Sequence, residues 1–336
     1  MHSVIVIGAG MAGLTAAREL QQHGFSVTVL DKGRSVGGRM ATRRLLVDSR
    51  IGRADHGAQY ITAYTERFTR LVQDMAAQNV IEPWHAYCAT TAPKRARYIA
   101  HEGMASVAKY LARGINVHVQ ERVVRIVSSR DTWTVHTESH HTYNADALLV
   151  TAPIPQALAL LESADTLVLS DAERAALEAV VYVPCIALML ALDRKHYLSI
   201  STLPLTRFEG KRTVMWIADN TAKGISPDVP VLTIHTSSDF AREYWETDDG
   251  EVYSVLVGDM REYIPAEAIQ SYSLHRWRYS RVVAPFARLC CPVAASPAGL
   301  VLAGDGFATE CGMLTRIEDA ALSGWAAAEY LVSLYR

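Results

Sequence analysis

The chain has 336 residues, of which 50% are apolar and 20% charged, and its formal net charge is −2. It is too long for one small module and short for three domains. The near-zero charge gives no sign of a nucleic-acid or membrane-surface binder. The N-terminal apolar run spans about five residues without basic residues before it, which predicts a buried strand rather than a signal peptide. No run approaches the ~20 apolar residues that span a bilayer, so we expect a cytoplasmic protein without a membrane partner.

Several reactive-site signatures are missing. The five cysteines, Cys88, Cys185, Cys290, Cys291 and Cys311, include no CxxC pair, which favours reduced cytosolic thiols packed as small apolar groups. The sequence has no HExxH motif, so no metal is expected. It also has no GxSxG motif or Cys-His signature, so a nucleophilic mechanism is not expected.

The first predicted elements form a βαβ unit. A strand at 3–7 precedes GAGMAG, a segment with helical spacing follows, and a second strand covers 26–31. GAGMAG matches G-x-G-x-x-G in the context that the motif requires. Such a loop brings a helix N-terminus to a pyrophosphate, and Asp31 at the end of the second strand suits the adenosine ribose. The alternative is a glycine-rich turn packed without a ligand.

The remaining elements alternate between strands and helices. We predict further strands at 115–129, 132–139, 145–153, 183–193, 213–219, 230–236 and 299–307, and helices at 250–264 and 315–336. Because the last strand and helix return to the nucleotide-binding sheet, this domain is predicted to be discontinuous. The fold class is α/β, with a Rossmann-like FAD-binding domain formed by 1–60, 100–155 and 280–336. A substrate domain built on a mostly antiparallel sheet is predicted for 61–99 and 156–279.

Two later segments favour FAD over a transient NAD. DKGRSVGGRM at 31–40 places Arg34 and Arg39 around a glycine pair, and arginine can contact phosphate oxygens in pairs. LAGDGF at 302–307 ends a strand in Gly304 and Asp305, before the final helix. Such an acid suits the ribityl chain, and the helix N-terminus suits the flavin pyrimidine. The alternative for DKGRSVGGRM is a solvated turn.

Together these motifs resemble the two-domain FAD oxidoreductases related to monoamine oxidase. HGAQYIT (56–62), MWIADN (215–220), LTIHT (232–236) and HRWRYS (275–280), in this order, are similar to the renalase family, particularly its bacterial branch. The resemblance runs from about residue 1 to 333. It implies non-covalent FAD and oxidation of 2- and 6-dihydroNAD(P), with hydride transfer to flavin N5. Molecular oxygen would then regenerate the flavin, giving NAD(P)⁺ and hydrogen peroxide. A monomer or dimer that acts on a small molecule, without nucleic acid, is expected.

Two sets of candidate residues follow. The predicted cofactor-binding residues are Gly8, Gly10, Met11, Ala12, Gly13, Asp31, Lys32, Gly37, Gly38, Arg39, His56, Gly57, Ala58, Val124, Gly304, Asp305 and Ile317. A hydride donor must lie flat against the flavin, so positioning by aromatic and amide side chains is the main task expected of the protein. The predicted pocket residues are Gln59, Tyr60, Trp216, Asn220, His235, Trp277 and Tyr279. The alternative for each is ordinary core packing.

Other interpretations stay open at this point. An FAD-dependent amine oxidase is the first alternative, although we identify no lysine placed to hold a water near N5. A non-catalytic flavin-binding or dinucleotide-binding sensor is the second. The basic segment KRARY at 94–98 could meet a substrate pyrophosphate or form a solvated loop. The adjacent His140 and His141 are predicted to lie in a hairpin turn.

Overall fold

The computed structural model describes residues 1–84, 95–129, 131–164, 167–200, 213–295, 297–307 and 316–336. The strands are β1 Ser3–Ile7, β2 Ser26–Asp31, β3 Thr42–Val47, β4 Arg50–Asp55, β5 Ile81–Pro83, β6 Tyr98–Ala100, β7 Asn116–Val119, β8 Val123–Ser128, β9 Trp133–Thr137, β10 Thr142–Ala145, β11 Ala147–Val150, β12 Leu167–Val168, β13 Val181–Leu192, β14 Val214–Asp219, β15 Val231–Thr236, β16 Ile269–Ala284, β17 Cys291–Ala295 and β18 Leu300–Leu302. The helices are α1 Met11–Gln22, α2 Glu66–Ala77, α3 Ala105–Leu111, α4 Ile154–Leu161, α5 Asp171–Glu178, α6 Arg194–Ile200, α7 Ser238–Glu243, α8 Asp249–Met260 and α9 Ile317–Leu334.

The first sheet has the order β12-β17-β18-β11-β1-β2-β7, and its five strands from β18 to β7 are parallel. Its central strands β1, β11 and β18 are almost wholly buried because helices cover the sheet. The helices α1 and α9 cross closely: a Cβ added at Gly324 would lie 2.2 Å from the Ala12 carbonyl oxygen. This sheet confirms the predicted Rossmann-like βαβ start and the return of the chain to it.

The second sheet has the order β14-β15-β13-β16, and all its pairings are antiparallel. One face packs its apolar side chains against α7 and α8, where Phe240 and Leu256 are buried. The antiparallel sheet was predicted, and its location is confirmed. The sequence analysis did not identify β16, in which partly buried residues are interspersed with exposed ones and Val282 is the one buried residue, so no apolar run marks the strand.

A third sheet, β10-β9-β8, lies beside the nucleotide-binding sheet and corrects one predicted strand. The segment 115–129 is two strands, because Gln120 adopts a left-handed φ of 60° between them. The first part, β7, joins the parallel sheet, and the second, β8, pairs with β9. His140 also has a positive φ, of 62°, and lies in the predicted turn between β9 and β10.

Two segments between the main sheets affect the predicted domain boundaries. The β3–β4 hairpin packs Leu45 and Ala54 against Met189 of the second sheet. The helix α2 packs Phe68 into the same core as α1 and α9, although the predicted boundaries assign 61–99 to the substrate domain. The predicted domain boundaries therefore stay a prediction, and the packing of α2 favours placing it with the nucleotide-binding domain. Among the described residues, no helix combines the length and apolarity needed to cross a bilayer.

Candidate functional site: a dinucleotide cleft between the two sheets

A cleft of about 2350 Å³ runs between the first sheet and the second. Its walls come from the β1–α1 loop, the segments 30–44 and 56–64, the strand β16 and the start of α9. Small-ligand pockets typically enclose roughly 300–1,000 Å³. The larger volume leaves space for an extended dinucleotide and a second molecule beside it.

One end of the cleft is formed by the glycine loop between β1 and α1. Gly8 has a φ of 113°, and a Cβ there would lie 2.5 Å from the Thr151 hydroxyl oxygen. A Cβ at Gly13 would lie 1.9 Å from the Gly8 carbonyl oxygen, so Gly13 permits the loop to pass under α1. Gly10 has no atom within 4 Å of its added Cβ and lines the cleft. The three glycines therefore leave the backbone open to a phosphate, as the motif predicts.

Asp31 lines the cleft at the end of β2 and also fixes the loops around it. Its Oδ2 accepts a hydrogen bond from the Ala9 N–H at 2.6 Å, and its Oδ1 accepts one from the Gly33 N–H at 2.6 Å. Because each carboxylate oxygen has a second lone pair, these bonds leave acceptor capacity for ribose hydroxyls. Lys32 next to it is exposed and donates to the Gln156 side chain at 3.1 Å.

The GGR segment makes a tight turn that presents Arg39 to Asp305. Gly37 and Gly38 have φ values of 126° and 54°, which favour glycine. Both guanidinium nitrogens of Arg39 donate to the Asp305 carboxylate at 2.5 Å, and one also donates to the Tyr279 carbonyl at 3.1 Å. Burial lowers the pKa of Arg39, but the charge and hydrogen bonds of Asp305 raise it more, so the net shift is upward. The two residues predicted for separate parts of FAD thus meet as one bidentate pair beside Gly304.

The HGAQ segment, residues 56–59, is hydrogen-bonded to the turn that carries Arg39. Ala58 donates its N–H to the Arg39 carbonyl at 2.9 Å, and a Cβ at Gly57 would lie 2.0 Å from the same oxygen. Only glycine therefore allows this close approach at position 57. The segment extends the backbone wall from the glycine turn toward the second sheet.

A buried ion pair that the sequence analysis did not predict lies beneath the HGAQ segment. Lys223 and Asp55 have fully buried side chains, and the Lys223 Nζ donates to Asp55 Oδ2 at 2.8 Å. It also donates to Gln59 Oε1 at 3.1 Å, while the Gln59 amide donates to the Asp55 carbonyl at 2.6 Å. The other oxygen of Asp55 accepts from Thr42 at 2.6 Å and from the Met104 N–H at 2.8 Å. Gln59 therefore lines the cleft with its amide already committed to this network.

Asn220 belongs to the same network and lies behind the wall of the cleft. It is wholly buried, accepts from the Asp55 N–H at 3.1 Å and donates to the Thr233 hydroxyl at 2.8 Å. The structure thus brings this predicted pocket residue near the site without placing it among the lining residues. These two hydrogen bonds connect β4 to β15, which is a structural role.

Three histidines and a tryptophan line the end of the cleft opposite the glycine loop. The His56 carbonyl accepts from Trp277 Nε1 at 2.8 Å and from His235 Nε2 at 3.1 Å. The His56 ring stacks on Trp277 at 5.2 Å, and His275 meets both rings edge-on at 4.9 and 4.2 Å. In the described part of the chain, no group of His, Cys, Asp or Glu is arranged to hold a metal ion.

These imidazoles are neutral at physiological pH. Burial lowers the pKa of His56 to about 3, with further contributions from His275, Arg43 and His235. Burial also lowers the pKa of His235 to about 4 and, together with the charge of Arg43, that of His275 to about 4. Neutral imidazoles can donate and accept hydrogen bonds without adding charge.

Aromatic rings and arginines form the mouth of this end. Tyr60 lies 6.2 Å from Trp216, and the Arg97 guanidinium lies 4.7 Å over the Tyr60 ring. Arg95 lies 4.5 Å over Tyr64. Within KRARY, Arg95 and Arg97 therefore line the cleft, whereas position 94 lies outside the described residues. Positions 88 and 311, where two of the cysteines occur, also lie outside them.

Most predicted site residues line the one cleft. The lining residues among them are Gly8, Gly10, Met11, Ala12, Asp31, Lys32, Gly37, Gly38, Arg39, His56, Gly57, Ala58, Gln59, Tyr60, Val124, Trp216, His235, Trp277, Tyr279, Gly304, Asp305 and Ile317. Gly13 and Asn220 lie behind the wall. Sequence reasoning missed Arg43, His275 and Lys223. The histidine had a usable signal, since it lies two residues from Trp277 on a strand and so faces the same side.

The residues present fit FAD. The positive-φ glycines Gly8, Gly37 and Gly304 form a backbone cradle that added side chains would fill. The start of α9 at Ile317 supplies a helix N-terminus to the same cleft. These residues would hold the dinucleotide, with Asp31 near its ribose and Ile317 near its flavin.

Comparison with known sequences agrees with this arrangement. Residues 83–332 match the family described as flavin containing amine oxidoreductase, and residues 6–75 match an NAD(P)-binding Rossmann-like domain. The chain is 58% identical over 59 residues to lysine-specific histone demethylase 1 homolog 3 of Arabidopsis thaliana, a stretch covering 18% of this chain and 3% of that protein. It is 35% identical over 78 residues to amine oxidase [flavin-containing] A of Sus scrofa, covering 23% of this chain and 14% of the other. These matches span only a small part of each relative.

Solved structures share the whole fold at low sequence identity. Cyclohexylamine oxidase from Brevibacterium oxydans IH-35A superposes with a TM-score of 0.70 and 13% identity, covering 100% of both chains. A putative protoporphyrinogen oxidase from Exiguobacterium sp. 255-15 has a TM-score of 0.68 and 13% identity, covering 100% of this chain and 99% of the other. With the family match across most of the sequence, the chain belongs to the flavin-containing amine oxidoreductases, and its cofactor is FAD.

Proposed function

We propose that the protein is an oxidase of dihydronicotinamide dinucleotides whose hydride sits at the 2- or 6-position of the ring. The reaction consumes the dihydronicotinamide, one O₂ and one proton, and yields NAD(P)⁺ and hydrogen peroxide. FAD, when bound, would supply a hydride acceptor at N5 and a route for the electron pair to oxygen. The family and the fold support a flavin-dependent oxidoreductase, and the charge of the cleft supports this particular class of substrate.

The observation that carries the proposal is the excess of cations over acids in the cleft. The cationic lining residues are Lys32, Arg34, Arg39, Arg43, Arg44, Arg53, Arg95, Arg97, Lys109, Arg122, Arg276, Arg278, Arg281 and Arg316, and the acidic ones are Asp31, Glu102, Glu121 and Asp305. FAD carries two negative charges of its own, so a large positive excess remains. A cleft of one sign raises the local concentration of oppositely charged ligands, which favours a substrate with phosphates.

Three of the four acids that line the cleft already have partners within the protein. Asp31 accepts two backbone N–H groups, Asp305 is paired with Arg39, and Glu121 accepts from or pairs with His141 at 2.7 Å. The Tyr60 ring, which could take a substrate cation, already has the Arg97 guanidinium over its face. An ammonium substrate would therefore meet an excess of arginines, and Glu102 is the one acid of this lining for which the described residues show no partner.

The substrate end suits a planar ring that becomes cationic as it loses hydride. Trp277 is held by its indole N–H on the His56 carbonyl, and Trp216 and Tyr60 supply further aromatic surface. His235 and His275 are neutral and do not oppose the positive charge that develops on the oxidised nicotinamide. Their roles would be to orient the ring and exclude water, which are the main contributions a protein makes to hydride transfer.

Oxidation of an amine is the second candidate, because the family match and the solved cyclohexylamine oxidase favour it. Anaerobic stopped-flow mixing separates the two. We expect 2- or 6-dihydroNAD(P) to bleach the flavin band near about 450 nm within one turnover, whereas putrescine, cyclohexylamine and catecholamines leave it intact. Ordinary 4-dihydroNAD(P) is the matched isomer control. Bleaching by amines alone would make the proposal wrong.

Readmission of oxygen tests the third possibility, a flavin-bound sensor. We expect the flavin colour to return with about one hydrogen peroxide formed per dihydronicotinamide consumed. A bound flavin that no reductant in the panel bleaches, and that forms no peroxide, would favour the sensor.

A further inference from the structure

Arg43 is the second residue of β3, and none of the sequence motifs gave it a role. Its side chain lines the cleft and is half-buried. Its Nη1 donates to the Ser273 hydroxyl of β16 at 2.9 Å, which fixes the guanidinium between the hairpin and the second sheet. In the described part of the chain, no carboxylate lies within ion-pair distance of it. Among the residues that the structure describes, the positive charge of Arg43 at the substrate end therefore has no acid paired with it.

The neighbours of Arg43 that the structure identifies, Ser273, His275 and His56, are uncharged. Burial, and after it the charge of Arg43, keeps the pKa of His275 at about 4, and the same charge contributes to the low pKa of His56. Partly burying a cation beside uncharged groups costs free energy, and a counter-charge reduces that cost. A ligand anion would supply that counter-charge.

The position of Arg43 separates it from the cofactor phosphates. Its hydrogen-bond partner and its histidine neighbours belong to β16 and the HGAQ segment, whereas the glycine loop that suits the FAD pyrophosphate lies between β1 and α1. Its neighbour His275 packs edge-on against Trp277. An anion at Arg43 would thus be attached to a molecule that occupies the aromatic end of the cleft.

We propose that Arg43, held by Ser273 and flanked by His275, is an anion subsite for a phosphate of the dinucleotide substrate. A guanidinium presents two parallel N–H donors that match phosphate oxygens. This inference rests on the proposed function, because it assigns the substrate's phosphate rather than its ring. It makes Arg43 a specificity residue that distinguishes dinucleotides from uncharged nicotinamide compounds.

The test compares two substrates and two variants in anaerobic flavin reduction. The substrates are 6-dihydroNAD and the corresponding dihydronicotinamide riboside, which lacks phosphate. For Arg43→Gln we expect the Kd of the dinucleotide to rise about 10-fold to 100-fold, as for loss of a charge-assisted hydrogen bond. The limiting rate of reduction and the Kd of the riboside should stay within about twofold of wild type. Arg50→Gln is the matched control, since Arg50 is exposed at the other end of the same hairpin and does not line the cleft.

Three results would overturn the inference. They are an unchanged Kd for the dinucleotide in Arg43→Gln, an equal weakening of dinucleotide and riboside, and an equal weakening in Arg50→Gln. The second would mean that Arg43 acts only on the shape of the pocket. Retained FAD content and an unchanged thermal unfolding midpoint show that the variant is folded.

A binding measurement keeps this inference separate from the proposed function. If neither 6-dihydroNAD nor the riboside reduces the wild-type flavin, the proposed function is wrong. Calorimetric titration of the FAD-loaded protein with inorganic pyrophosphate then tests Arg43 alone. We expect binding to wild type that Arg43→Gln weakens at least about 10-fold. Equal binding to both proteins, or no binding to wild type, would contradict the subsite.

Discussion

At the cofactor end of the cleft the wall is backbone, and at the substrate end it is side chains. Gly8, Gly37 and Gly304 adopt positive φ and line the cleft with backbone. His275 and Trp277 instead project from one strand of the second sheet. A backbone wall fits what all dinucleotides share, namely phosphates and ribose. A side-chain wall can differ from one family member to another without changing the fold, which explains how one architecture serves different oxidases.

The largest effect should come from filling the backbone wall. Gly13→Ala places a Cβ 1.9 Å from the Gly8 carbonyl oxygen, and backbone cannot yield as a side chain can. We expect a loss of about 3 kcal/mol in the free energy of unfolding or more, and FAD content below about a tenth of wild type. Gly258→Ala in α8 is the control, because nothing lies within 4 Å of its added Cβ. It should keep its FAD and gain about 0.5–1 kcal/mol. Full FAD content in Gly13→Ala would contradict the claim that the backbone wall of the cleft binds the cofactor.

The buried pair beneath Gln59 joins the two ends, and cutting it should have the next largest effect. Lys223→Met leaves the Asp55 carboxylate buried without its cation. We expect a loss of about 3–5 kcal/mol in chemical denaturation. The double variant Lys223→Met/Asp55→Asn should recover at least about half of that loss, since no buried charge remains. A single variant that loses less than about 1 kcal/mol would mean that water reaches Asp55.

The Arg39–Asp305 pair is the place where side chains contribute to the cofactor end. Arg39→Ala leaves the buried Asp305 carboxylate without its cation, and Asp305→Ala leaves the half-buried Arg39 guanidinium bonded to the Tyr279 carbonyl but without a counter-charge. We expect the Kd for FAD to rise about 10-fold to 100-fold in each, measured by fluorescence titration of the apoprotein. Arg174→Ala removes an exposed ion pair with Glu178 and should leave FAD binding unchanged. Full yellow occupancy in both cleft variants would show that the pair is not part of the cofactor site.

The histidines give the substrate end a pH dependence that the glycine end lacks. His275 has a pKa of about 4 in the folded protein, below its value of ~6.5 in the unfolded chain. The unfolded state therefore binds protons first as pH falls, so stability present above about pH 6.5 decreases toward pH 4. Between pH 7.5 and 5, wild type should lose about 1–2 kcal/mol more than His275→Gln. Equal losses in urea denaturation would mean that this imidazole titrates normally.

The smallest effect concerns a single hydrogen-bonding group in the pocket. His235→Ala should retain FAD, because the ring bonds only to the His56 carbonyl in this network. We expect the Kd for 6-dihydroNAD to rise about 5-fold to 10-fold in anaerobic flavin reduction. His136→Ala on β9, outside the cleft, serves as the control. Flavin reduction that is unchanged at every substrate concentration would remove His235 from the pocket.

The contrast between the two ends also explains what the sequence could predict. Glycine spacing reports the cofactor end directly, because Gly8, Gly13 and Gly37 are needed at fixed positions along a short stretch. The cofactor could therefore be predicted from the glycine motifs. The parallel and antiparallel sheets could be predicted from the apolar patterns of their strands. The break at Gln120 was not, since a left-handed residue other than glycine leaves little trace in a pattern of apolar residues.

The substrate end depends on contacts between distant parts of the chain. Arg43 meets Ser273 across 230 positions, and Lys223 meets Asp55 across 168. No local spacing encodes such pairs, and β16 itself lacks an apolar run because it lines a polar cleft. Asn220 shows the converse. This polar residue of the MWIADN motif was predicted to line the pocket, but its amide oxygen accepts a hydrogen bond from the Asp55 N–H of β4.

The close crossing of α1 and α9 has a consequence for the order in which the molecule assembles. The glycine loop precedes α1 directly, whereas its neighbours β18 and α9 lie at 300–334. Chains emerge from the ribosome N-terminus first, so the loop is made well before the helix that packs on it. Pairing so distant in sequence is also slow to form. Because the glycine loop and the start of α9 line the same cleft, we expect stable FAD binding to follow the packing of α9 on α1.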